Sequence, residues 1–507
     1  MKPLGALISM VETVELEAND LSSAAAEIVS ERAGWTLSSI IADPVRDELQ
    51  LLYLFRNRRD RGWRVLLVRL TGGKRILPSI VGPVHAADWH EREIEDLFGV
   101  TFEGHPRLGD FVLHDEHWPE QLAPMRVDFD LSNGSLPAGE RPWKPHRILQ
   151  AAGAFTMPVG PVYSGVAESA LFLLETLGED VLRAVPRLFY KYRAIEKIVE
   201  GRRIEDALLR VERCSGRSAL AHAWAYAQAI ERLHGISIAG DDELLRAFFA
   251  ELERYRHHVA SIREICESTS TLVATSQTAI LEEELLRLSC ELTGHRYLFG
   301  AVVVGGVAVR PDRSQLDSAL RRLRDIDLRL GELEASLRYS SGFLDRIEEV
   351  GIIAHNDAVS HGLVGPLARA SASTEDLRRT QPYGAYSELT FEVPSESEGD
   401  GYARLRVLFA EAKQSLRIME QLAGSETATV ARPTITESAA IGWTEAPRGA
   451  CIAYARLRDD GTIARLRLTT PSFSNWLGFY LATEQFAFQD FPIILATLDL
   501  SVAESDR

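Results

Sequence analysis

The stretch 243-ELLRAFFAELERYRHHVASIREIC-266 places apolar residues three or four positions apart along its whole length. This spacing predicts one long amphipathic helix from Glu243 to Cys266. Four other segments have the same period: Pro186–Val211, Ser218–His234, Thr278–Thr293 and Ser314–Tyr339. Long helices in succession predict a helical bundle with inserted loops for this part of the chain.

The N-terminal part of the chain has a different pattern. A helix is predicted over 20–34, and a second one over Val84–Phe98, where Gly99 is a natural stop. Between them lie three strand-like runs: Leu37–Ala42, Glu48–Arg56 and Trp63–Leu70. A helix followed by an antiparallel meander predicts a small α+β domain.

A stretch rich in proline and turn residues separates these two parts and predicts a linker over 131–157. We therefore expect an N-terminal domain over 1–130 and a large domain over 158–507. The predicted fold class is α+β, with a small α+β N-terminal domain fused to a mainly α-helical bundle domain with small β elements. Near the end, Cys451–Leu457 and Ile463–Thr469 predict a hairpin, because an Asp-Gly pair stands in the turn between them.

The composition excludes some classes of protein. The 507 residues have a formal net charge of −17, which argues against a nucleic-acid partner, since phosphate binding relies on clustered Lys and Arg. We expect no exported chain and no membrane helix, because no signal pattern follows Met1 and glycines and prolines interrupt the longest uncharged stretch. The four cysteines form no C-x-x-C pair, which fits a reduced, cytoplasmic protein.

One motif stands out in the N-terminal domain. The stretch 88-DWHEREIEDLFG-99, followed by His105-Pro106, resembles the signature of the 30 kDa subunit of complex I. On a helix, Trp89, Glu93 and Asp96 share one face, which predicts a docking surface. His90 begins the zinc-protease pattern but Ile94 ends it, so the two histidines are interpreted as structural. The resemblance implies a non-catalytic assembly module.

The large domain resembles the 49 kDa subunit of complex I, and more closely the large subunit of the membrane-bound hydrogenases, as in formate hydrogenlyase and hydrogenase-4. The resemblance rests on short motifs in a shared order that covers nearly the whole domain. These motifs are Gly160–Tyr163, Tyr192–Lys197, Leu220–Tyr226, Glu251–Arg254, Glu291–Arg296, Val304–Val307, Arg369–Ser371, Pro382–Tyr386 and Glu445–Gly449.

The resemblance implies a nickel-iron site, which the hydrogenases build from two C-x-x-C pairs because soft thiolates suit these metals. In this sequence the early pair is reduced to Cys214, with Arg217 at the position of its partner. In the late pair, Ser501 and Glu504 replace both cysteines. These four positions therefore indicate a degenerate nickel site, and we expect no metal there.

The same cavity takes a quinone head group in complex I. The family's quinone-binding histidine falls at Ala167, while Tyr163 and Glu168 follow the hydrogenase form of the loop. The resemblance makes five residues candidates for lining a quinone site or cavity: Tyr163, Glu168, Arg193, His222 and Arg448. The alternative for Tyr163 is a tyrosine at a buried loop corner.

Five further polar residues belong to this group with less support: Glu196, Glu251, Arg254, His257 and His258. Arg193 and Glu196 are three positions apart, which would place them on one helical face. Glu251, Arg254 and His258 form a similar stripe. The alternative for all of them is ion pairing on a helix surface, which contributes little to stability.

The resemblance implies a subunit of the cytoplasmic electron-transfer arm of a membrane-associated oxidoreductase, peripheral on the inner face of the cell membrane. We expect no cofactor bound by this chain and leave quinone open as a ligand. The implied partners are a small iron-sulfur subunit that carries the cluster, a ferredoxin-like subunit and antiporter-like membrane subunits. The alternative is a non-catalytic scaffold that couples a redox arm to ion-translocating subunits.

Overall fold

The computed structural model describes residues 2–3, 11–30, 34–71, 73, 75–119, 122–129, 143, 152–162, 168–425 and 439–507. Tyr163, Ala167 and most of the predicted linker lie outside these residues. The domain boundaries at 130 and 158 therefore stay predictions.

The N-terminal part forms a five-stranded sheet in the order β1-β2-β5-β4-β3, in which only β2 and β5 pair in parallel. Its elements are β1 (Lys2–Pro3), β2 (Val11–Glu15), α1 (Leu21–Ile28), β3 (Trp35–Val45), β4 (Glu48–Asn57) and β5 (Trp63–Leu70). The three predicted strands are confirmed. A small parallel pair and a helix follow: β6 (Ile76–Pro78), α2 (Asp88–Phe98) and β7 (Thr101–Glu103). Helix α2 ends, as predicted, at Gly99, whose φ of 68° is left-handed.

A second sheet begins the large domain with β8 (Ala154–Val159), β9 (Leu171–Leu177) and β10 (Asp180–Arg187). The predicted helix over Pro186–Val211 is therefore wrong in its first half. Only two short helices form there, α3 (Ile195–Ile198) and α4 (Ile204–Val211). Pro186 belongs to strand β10, which pairs with β9. Further along, left-handed backbone at Ala194 and Gly201 interrupts the segment.

Long helices then build the bundle. They are α5 (Ala219–His234), α6 (Gly240–Ser268), α7 (Leu272–Thr293), α8 (Arg313–Arg338) and α13 (Gly401–Gly424). The hairpin strands β11 (Val302–Val303) and β12 (Gly306–Val307) lie between α7 and α8. Four short helices lie between α8 and α13: α9 (Ser341–Ile347), α10 (His355–Ser360), α11 (Gly365–Arg369) and α12 (Leu377–Thr380). The four other predicted helices are confirmed as α5 to α8. Helix α13, which packs along α6, was not predicted.

A three-stranded sheet and the last helices complete the chain. These are β13 (Ala439–Ala446), β14 (Gly449–Leu457), β15 (Ile463–Thr469), α14 (Pro471–Ala482), β16 (Glu484–Ala487), α15 (Phe491–Leu498) and α16 (Val502–Ser505). Strands β14 and β15 form the predicted hairpin, and β16 joins the edge of the second sheet beside β10. The mixed α+β class is confirmed.

The two parts of the chain share a core. Asp43 on β3 is fully buried and accepts hydrogen bonds from Tyr454 (2.6 Å) and from Arg456 (2.7 Å) of β14. Trp89 on α2 stacks on Trp476 of α14, with ring centroids 6.2 Å apart. Across the described residues, no helix combines the length and the apolar character that crossing a membrane requires.

Candidate functional site

Residues 499–507, here called the terminal segment, run through the interior of the large domain. Ser501, Glu504 and Arg507 are all buried. Arg507 Nη2 donates to Glu93 Oε1 of α2 at 2.9 Å, and its Nε lies 3.4 Å from Glu196 Oε1 of α3. The terminal segment thus ties the N-terminal part of the chain to the large domain.

Two of the four degenerate nickel positions, Ser501 and Glu504, belong to this segment, and the other two, Cys214 and Arg217, come from the chain before α5. Burial raises the pKa of the Cys214 thiol to about 12, so it is protonated at neutral pH. Arg217 forms an ion pair with Glu264 of α6. Ser501 Oγ accepts from the backbone N–H of Glu504 at 3.2 Å and donates to Glu168 at 3.0 Å. The Glu504 carboxylate accepts from Ser472 Oγ at 2.5 Å and lies 3.3 Å from Arg448 Nη1.

This donor set does not fit a nickel-iron centre. Nickel and iron in hydrogenases need four thiolates, whereas these positions offer one protonated thiol, one guanidinium, one hydroxyl and one carboxylate. A guanidinium has no lone pair to give to a metal. Among the described residues, no group of three or more His, Cys, Asp or Glu side chains has the geometry of a metal site.

Four of the five cavity candidates converge on the terminal segment, and the fifth, Tyr163, lies outside the described residues. Glu168 accepts from Ser501 Oγ and from the backbone N–H of Val502. Arg193 donates to the carbonyl oxygens of Cys214 (2.7 Å) and Arg213 (2.8 Å), and to those of Ala503 and Asp506. Its guanidinium therefore fastens the terminal segment to the loop before α5.

The other two candidates belong to what we call the terminal cluster: Arg448, Asp499, Glu504, His222 and His257. Arg448 holds both carboxylates, with Nη2 at 3.1 Å from Asp499 and Nη1 at 3.3 Å from Glu504. His257 Nε2 lies 2.6 Å from Asp499 Oδ2. His222 Nε2 is 4.0 Å from Glu504 Oε1, and neither of its ring nitrogens has a hydrogen-bond partner among the described residues.

Burial and nearby charge set the protonation states of this cluster. Burial lowers the pKa of His222 to about 4 and that of His257 to about 3, so both imidazoles are neutral at pH 7. Burial alone would raise the pKa of Glu504, but the Arg448 guanidinium, His222 and the hydrogen bond from Ser472 together hold that pKa below its ordinary value. The terminal cluster therefore contains two carboxylates, one guanidinium and two neutral imidazoles.

A second buried group, the helix cluster, lies beside it. It consists of Glu251, Arg254, Arg369, Asp376, Arg378, Glu411 and Glu445, all at most 4% exposed. Arg378 joins Glu251 (2.9 Å) to Asp376 (2.6 Å). Arg369 joins Glu411 (2.5 Å) to Glu445 (2.9 Å). These bridges link α6, α11, α12, α13 and β13 in the interior of the domain.

Two expectations about these polar residues need correction. Glu251, Arg254 and His258 do not form surface ion pairs, because all three are fully buried. Arg193 and Glu196 do not share a helical face, because Arg193 precedes α3 and binds backbone carbonyls. Glu196 lies on α3, where it accepts from Arg465 (3.2 Å) and from the backbone N–H of Leu468 (2.9 Å).

Several residues of the two clusters were not singled out from the sequence. They are Asp499, Glu411, Asp376 and Arg378. Asp499 opens the ending that resembles the hydrogenase ending, so a signal for it was present. Glu411 belongs to α13, whose apolar spacing was overlooked, and Asp376 and Arg378 stand in a loop and a one-turn helix without any periodic pattern.

The space beside the terminal cluster is small. A cavity of about 10 Å³ borders Arg448 and Asp499 and is also lined by Arg404, Asn475 and Thr497. A cavity of this size has room for about one water molecule. This cavity is therefore smaller than an aromatic head group.

The predicted docking face of α2 is occupied within the chain. Trp89 and Glu93 are both 2% exposed. Glu93 Oε2 lies 2.5 Å from Arg467 Nη1 of β15, and Trp89 packs on the aromatic side chains of α14. His90 accepts from Arg467 at 3.1 Å, in line with a structural role. The face thus docks α2 onto the large domain of the same polypeptide.

Known proteins match both parts of the chain. The family described as "Respiratory-chain NADH dehydrogenase, 30 Kd subunit" matches residues 14–135, and the one described as "Respiratory-chain NADH dehydrogenase, 49 Kd subunit" matches residues 271–433 and 426–507. Formate hydrogenlyase subunit 5 of Escherichia coli (strain K12) is 27% identical over 98% of this chain and 89% of its own length.

Two other relatives match most of the chain. Hydrogenase-4 component G of Escherichia coli (strain K12) is 26% identical over 88% of this chain and 79% of its own length. The C/D component of NADH-quinone oxidoreductase from Bdellovibrio bacteriovorus is 28% identical over 75% of this chain and 68% of its own length. The chain therefore belongs to the complex I family and joins a 30 kDa-type domain and a 49 kDa-type domain in one polypeptide.

Proposed function

We propose that this chain is a subunit of the cytoplasmic electron-transfer arm of a membrane-associated, complex I-like oxidoreductase, and that it works without a nickel-iron centre. The observation that carries the proposal is the donor set around the terminal segment. At the four positions where the hydrogenases place thiolates, Cys214 is a buried thiol and Arg217, Ser501 and Glu504 bind Glu264, Glu168 and Arg448.

The names of the relatives support the kind of complex. They are subunits of formate hydrogenlyase, hydrogenase-4 and NADH-quinone oxidoreductase. By the same resemblance we infer three kinds of partner: a small subunit with an iron-sulfur cluster, a ferredoxin-like subunit and antiporter-like membrane subunits. These partners would hold the chain on the inner face of the cell membrane. In this arrangement the chain itself binds no cofactor.

Nickel content tests the first half of the proposal. The complex is purified through an affinity tag on this chain, and its nickel is measured by mass spectrometry relative to the chain. We expect far less than one nickel per chain, because no thiolate set is present to hold it. Formate hydrogenlyase purified in the same way is the positive control. One nickel per chain, bound to this subunit, would contradict the proposal.

Quinone reduction by the assembled complex tests whether the chain takes part in catalysis. If its cavity receives a quinone, Tyr163→Phe and Arg448→Ala should each lower the rate, since both residues were assigned to the cavity. Matched controls are Tyr339→Phe, directly after α8, and Arg321→Ala on the outside of α8; both side chains are exposed. If the first two variants reduce quinone as fast as the controls do, the cavity has no role in the reaction.

A non-catalytic scaffold is the second candidate function. It is favoured by the size of the cavity beside Arg448 and Asp499, which admits about one water molecule. It is also favoured by the side chains of Glu168, Arg193 and Arg448, which form hydrogen bonds with the terminal segment and with the loop before α5. If the chain is a scaffold, its deletion should dissociate the complex. Arg448→Ala should then leave the rate of quinone reduction per assembled complex unchanged.

A further inference from the structure

A groove lies on the outside of the bundle, between helices α7 and α8. Its volume is about 290 Å³, and it is lined by residues of α7 from Val273 to Leu281 and residues of α8 from Arg329 to Ser336. Eight residues of helix cover about 12 Å, so the groove follows the seam between the two helices for about two turns. We call it the α7–α8 groove.

The groove begins where a series of ion pairs between the two helices ends. Arg322 of α8 pairs with Glu291 of α7. Arg329, seven residues further along α8, pairs with Glu284, seven residues back along α7, at 2.5 Å. The two helices are therefore antiparallel, and ion pairs cross the seam at intervals of seven residues, as they do at the edges of coiled coils.

The next step of seven residues changes the chemistry of the seam. It places Ser336 opposite Gln277, and both of these uncharged residues line the groove. Because the serine side chain is short and no ion pair crosses the seam at this step, the leucines below are open to the groove. Leu281 and Leu333, which are 3% and 5% exposed, form its apolar floor.

The rim on α7 is apolar and exposed. Val273 is 73% exposed and Ile280 is 58% exposed, and both line the groove. Leu272, next to Val273, is 72% exposed. Contiguous exposed apolar side chains beside an apolar floor indicate an interaction site, whereas scattered ones do not. Apolar residues at helical spacing along a groove of this length are typical of sites that bind an amphipathic helix.

The rim on α8 carries the two charged residues of the groove, Arg329 and Glu332. Arg329 is already held by Glu284 and by Asp325, the latter at 3.1 Å. Glu332 is exposed and pairs with no cation among the described residues. The unmatched charge is therefore negative, which favours a partner with a lysine or arginine at this point and opposes an anionic lipid surface. A second copy of this chain would bring the same unmatched carboxylate.

We propose that the α7–α8 groove binds one amphipathic helix of another subunit of the complex, which places apolar side chains against Leu281 and Leu333 and a lysine or arginine beside Glu332. The presence of another subunit rests on the proposed function, whereas the floor, the rims and the charge of the groove do not. The docked helix has apolar residues three or four positions apart on the face toward the groove.

Site-directed cross-linking in the purified complex tests the proposal. The photoreactive amino acid p-benzoylphenylalanine takes the place of Val273, the complex is purified through a tag on this chain and irradiated, and the cross-linked peptide is sequenced by mass spectrometry. We expect a peptide of a different subunit with apolar residues at helical spacing. The register of the seam places Glu332 opposite Leu281, so a lysine or arginine should lie about two turns from the cross-linked residue.

The control for position is the same amino acid in place of Arg321. This residue is exposed on the outside of α8 and lies eight residues before the groove begins at Arg329. It should not cross-link to the peptide that Val273 captures.

A variant that continues the series of ion pairs should close the groove. Gln277→Glu combined with Ser336→Arg adds a third pair at the next step of seven and covers the leucine floor. We expect the yield of the cross-link at position 273 to fall about tenfold or more, because the partner must displace paired charges. Glu332→Lys should also lower it, since two cations then face each other. Ser318→Arg, exposed on α8 and outside the groove, should leave the yield unchanged.

The other results overturn the proposal. A cross-link to a second copy of this chain would identify a face for self-association, and a cross-link to lipid, or to a peptide without the apolar spacing and the basic residue, would identify a different occupant. Equal yields in the closing variant and in Ser318→Arg would also refute it. A complex that contains other subunits but gives no cross-link at position 273 refutes the groove alone. A chain that purifies without any other subunit refutes the proposed function as well.

Discussion

The helix cluster and the terminal cluster lie side by side, but they are built differently. In the helix cluster two guanidiniums each join two carboxylates: Arg378 joins Glu251 to Asp376, and Arg369 joins Glu411 to Glu445. In the terminal cluster a single guanidinium, that of Arg448, pairs with both carboxylates. Both clusters include residues of the motifs described above, but the terminal cluster also contains Glu504, at a position where the resemblance implies a cysteine. Buried ion pairs thus occupy both places in the interior of the large domain.

The largest effect should come from removing a bridging guanidinium. Arg378→Ala leaves Glu251 and Asp376 buried with only the more distant guanidiniums of the helix cluster, at 3.4 Å and 3.6 Å, and a broken buried pair of this kind costs about 3–5 kcal/mol. The free energy of unfolding, measured by urea titration of the full chain, checks this. The neighbouring Arg379 is exposed and donates to the carbonyl of Phe391, so Arg379→Ala is the matched control. Equal losses in both variants would mean that the helix cluster is not a structural lattice.

The long helices and part of the candidate site could be predicted from the sequence. The long helices α5 to α8 follow from apolar spacing, which is a local property. The motif resemblance placed Glu168, Arg193, His222 and Arg448 in one candidate site, and the structure brings all four to the terminal segment. Whether they act on a ligand stays a prediction.

Other features depend on distant parts of the chain. The helix cluster combines residues of α6, α11, α12, α13 and β13, which are up to about two hundred positions apart, and no local pattern reports such pairing. For the same reason, the stripe of Glu251, Arg254 and His258 was open to interpretation as a solvated face. Its partner Arg378 lies on the one-turn helix α12, which has no periodic signal, and Glu411 lies on α13, which was not predicted. Pro186 similarly belongs to a strand whose neighbours are not local to it.

Acid should affect the terminal cluster through His222. Burial lowers the pKa of His222 to about 4, whereas an unfolded histidine titrates near 6.5. Between these values the unfolded chain binds more protons, so stability falls as the pH falls. We expect His222→Gln to lose about 2 kcal/mol less than wild type does between pH 7 and pH 5. Urea titrations at both pH values measure this, with His117→Gln, at an exposed site, as control.

An unchanged acid dependence in His222→Gln would mean that this imidazole takes up its proton at the same pH in the folded and the unfolded chain. Burial beside Glu504 would then not determine its protonation state, and at pH 5 the terminal cluster would contain two positive groups against two carboxylates.

A smaller effect is expected when a carboxylate of the terminal cluster is neutralised. Glu504→Gln leaves Arg448 paired with Asp499, and the new amide can still accept from Ser472, so the loss should be about 1 kcal/mol. Glu251→Gln in the helix cluster is the matched variant. It should cost more, because Glu251 serves Arg378, Tyr386 and Ser415 at once. A larger loss for Glu504→Gln would show that the terminal cluster is the stronger support of the fold.

The smallest effect should come from an ion pair of similar length at the surface. Arg324 Nε of α8 lies 2.7 Å from Glu420 Oε1 of α13, but the arginine side chain is 56% exposed. Water and salt screen such a pair, so Arg324→Ala should change the free energy of unfolding by less than about 0.5 kcal/mol. Urea titration of Arg324→Ala beside Arg378→Ala measures the contrast directly. The two arginines bind carboxylates at similar distances but differ in burial and in the number of partners. A loss near that of Arg378→Ala would therefore mean that neither difference determines how much these bridges contribute.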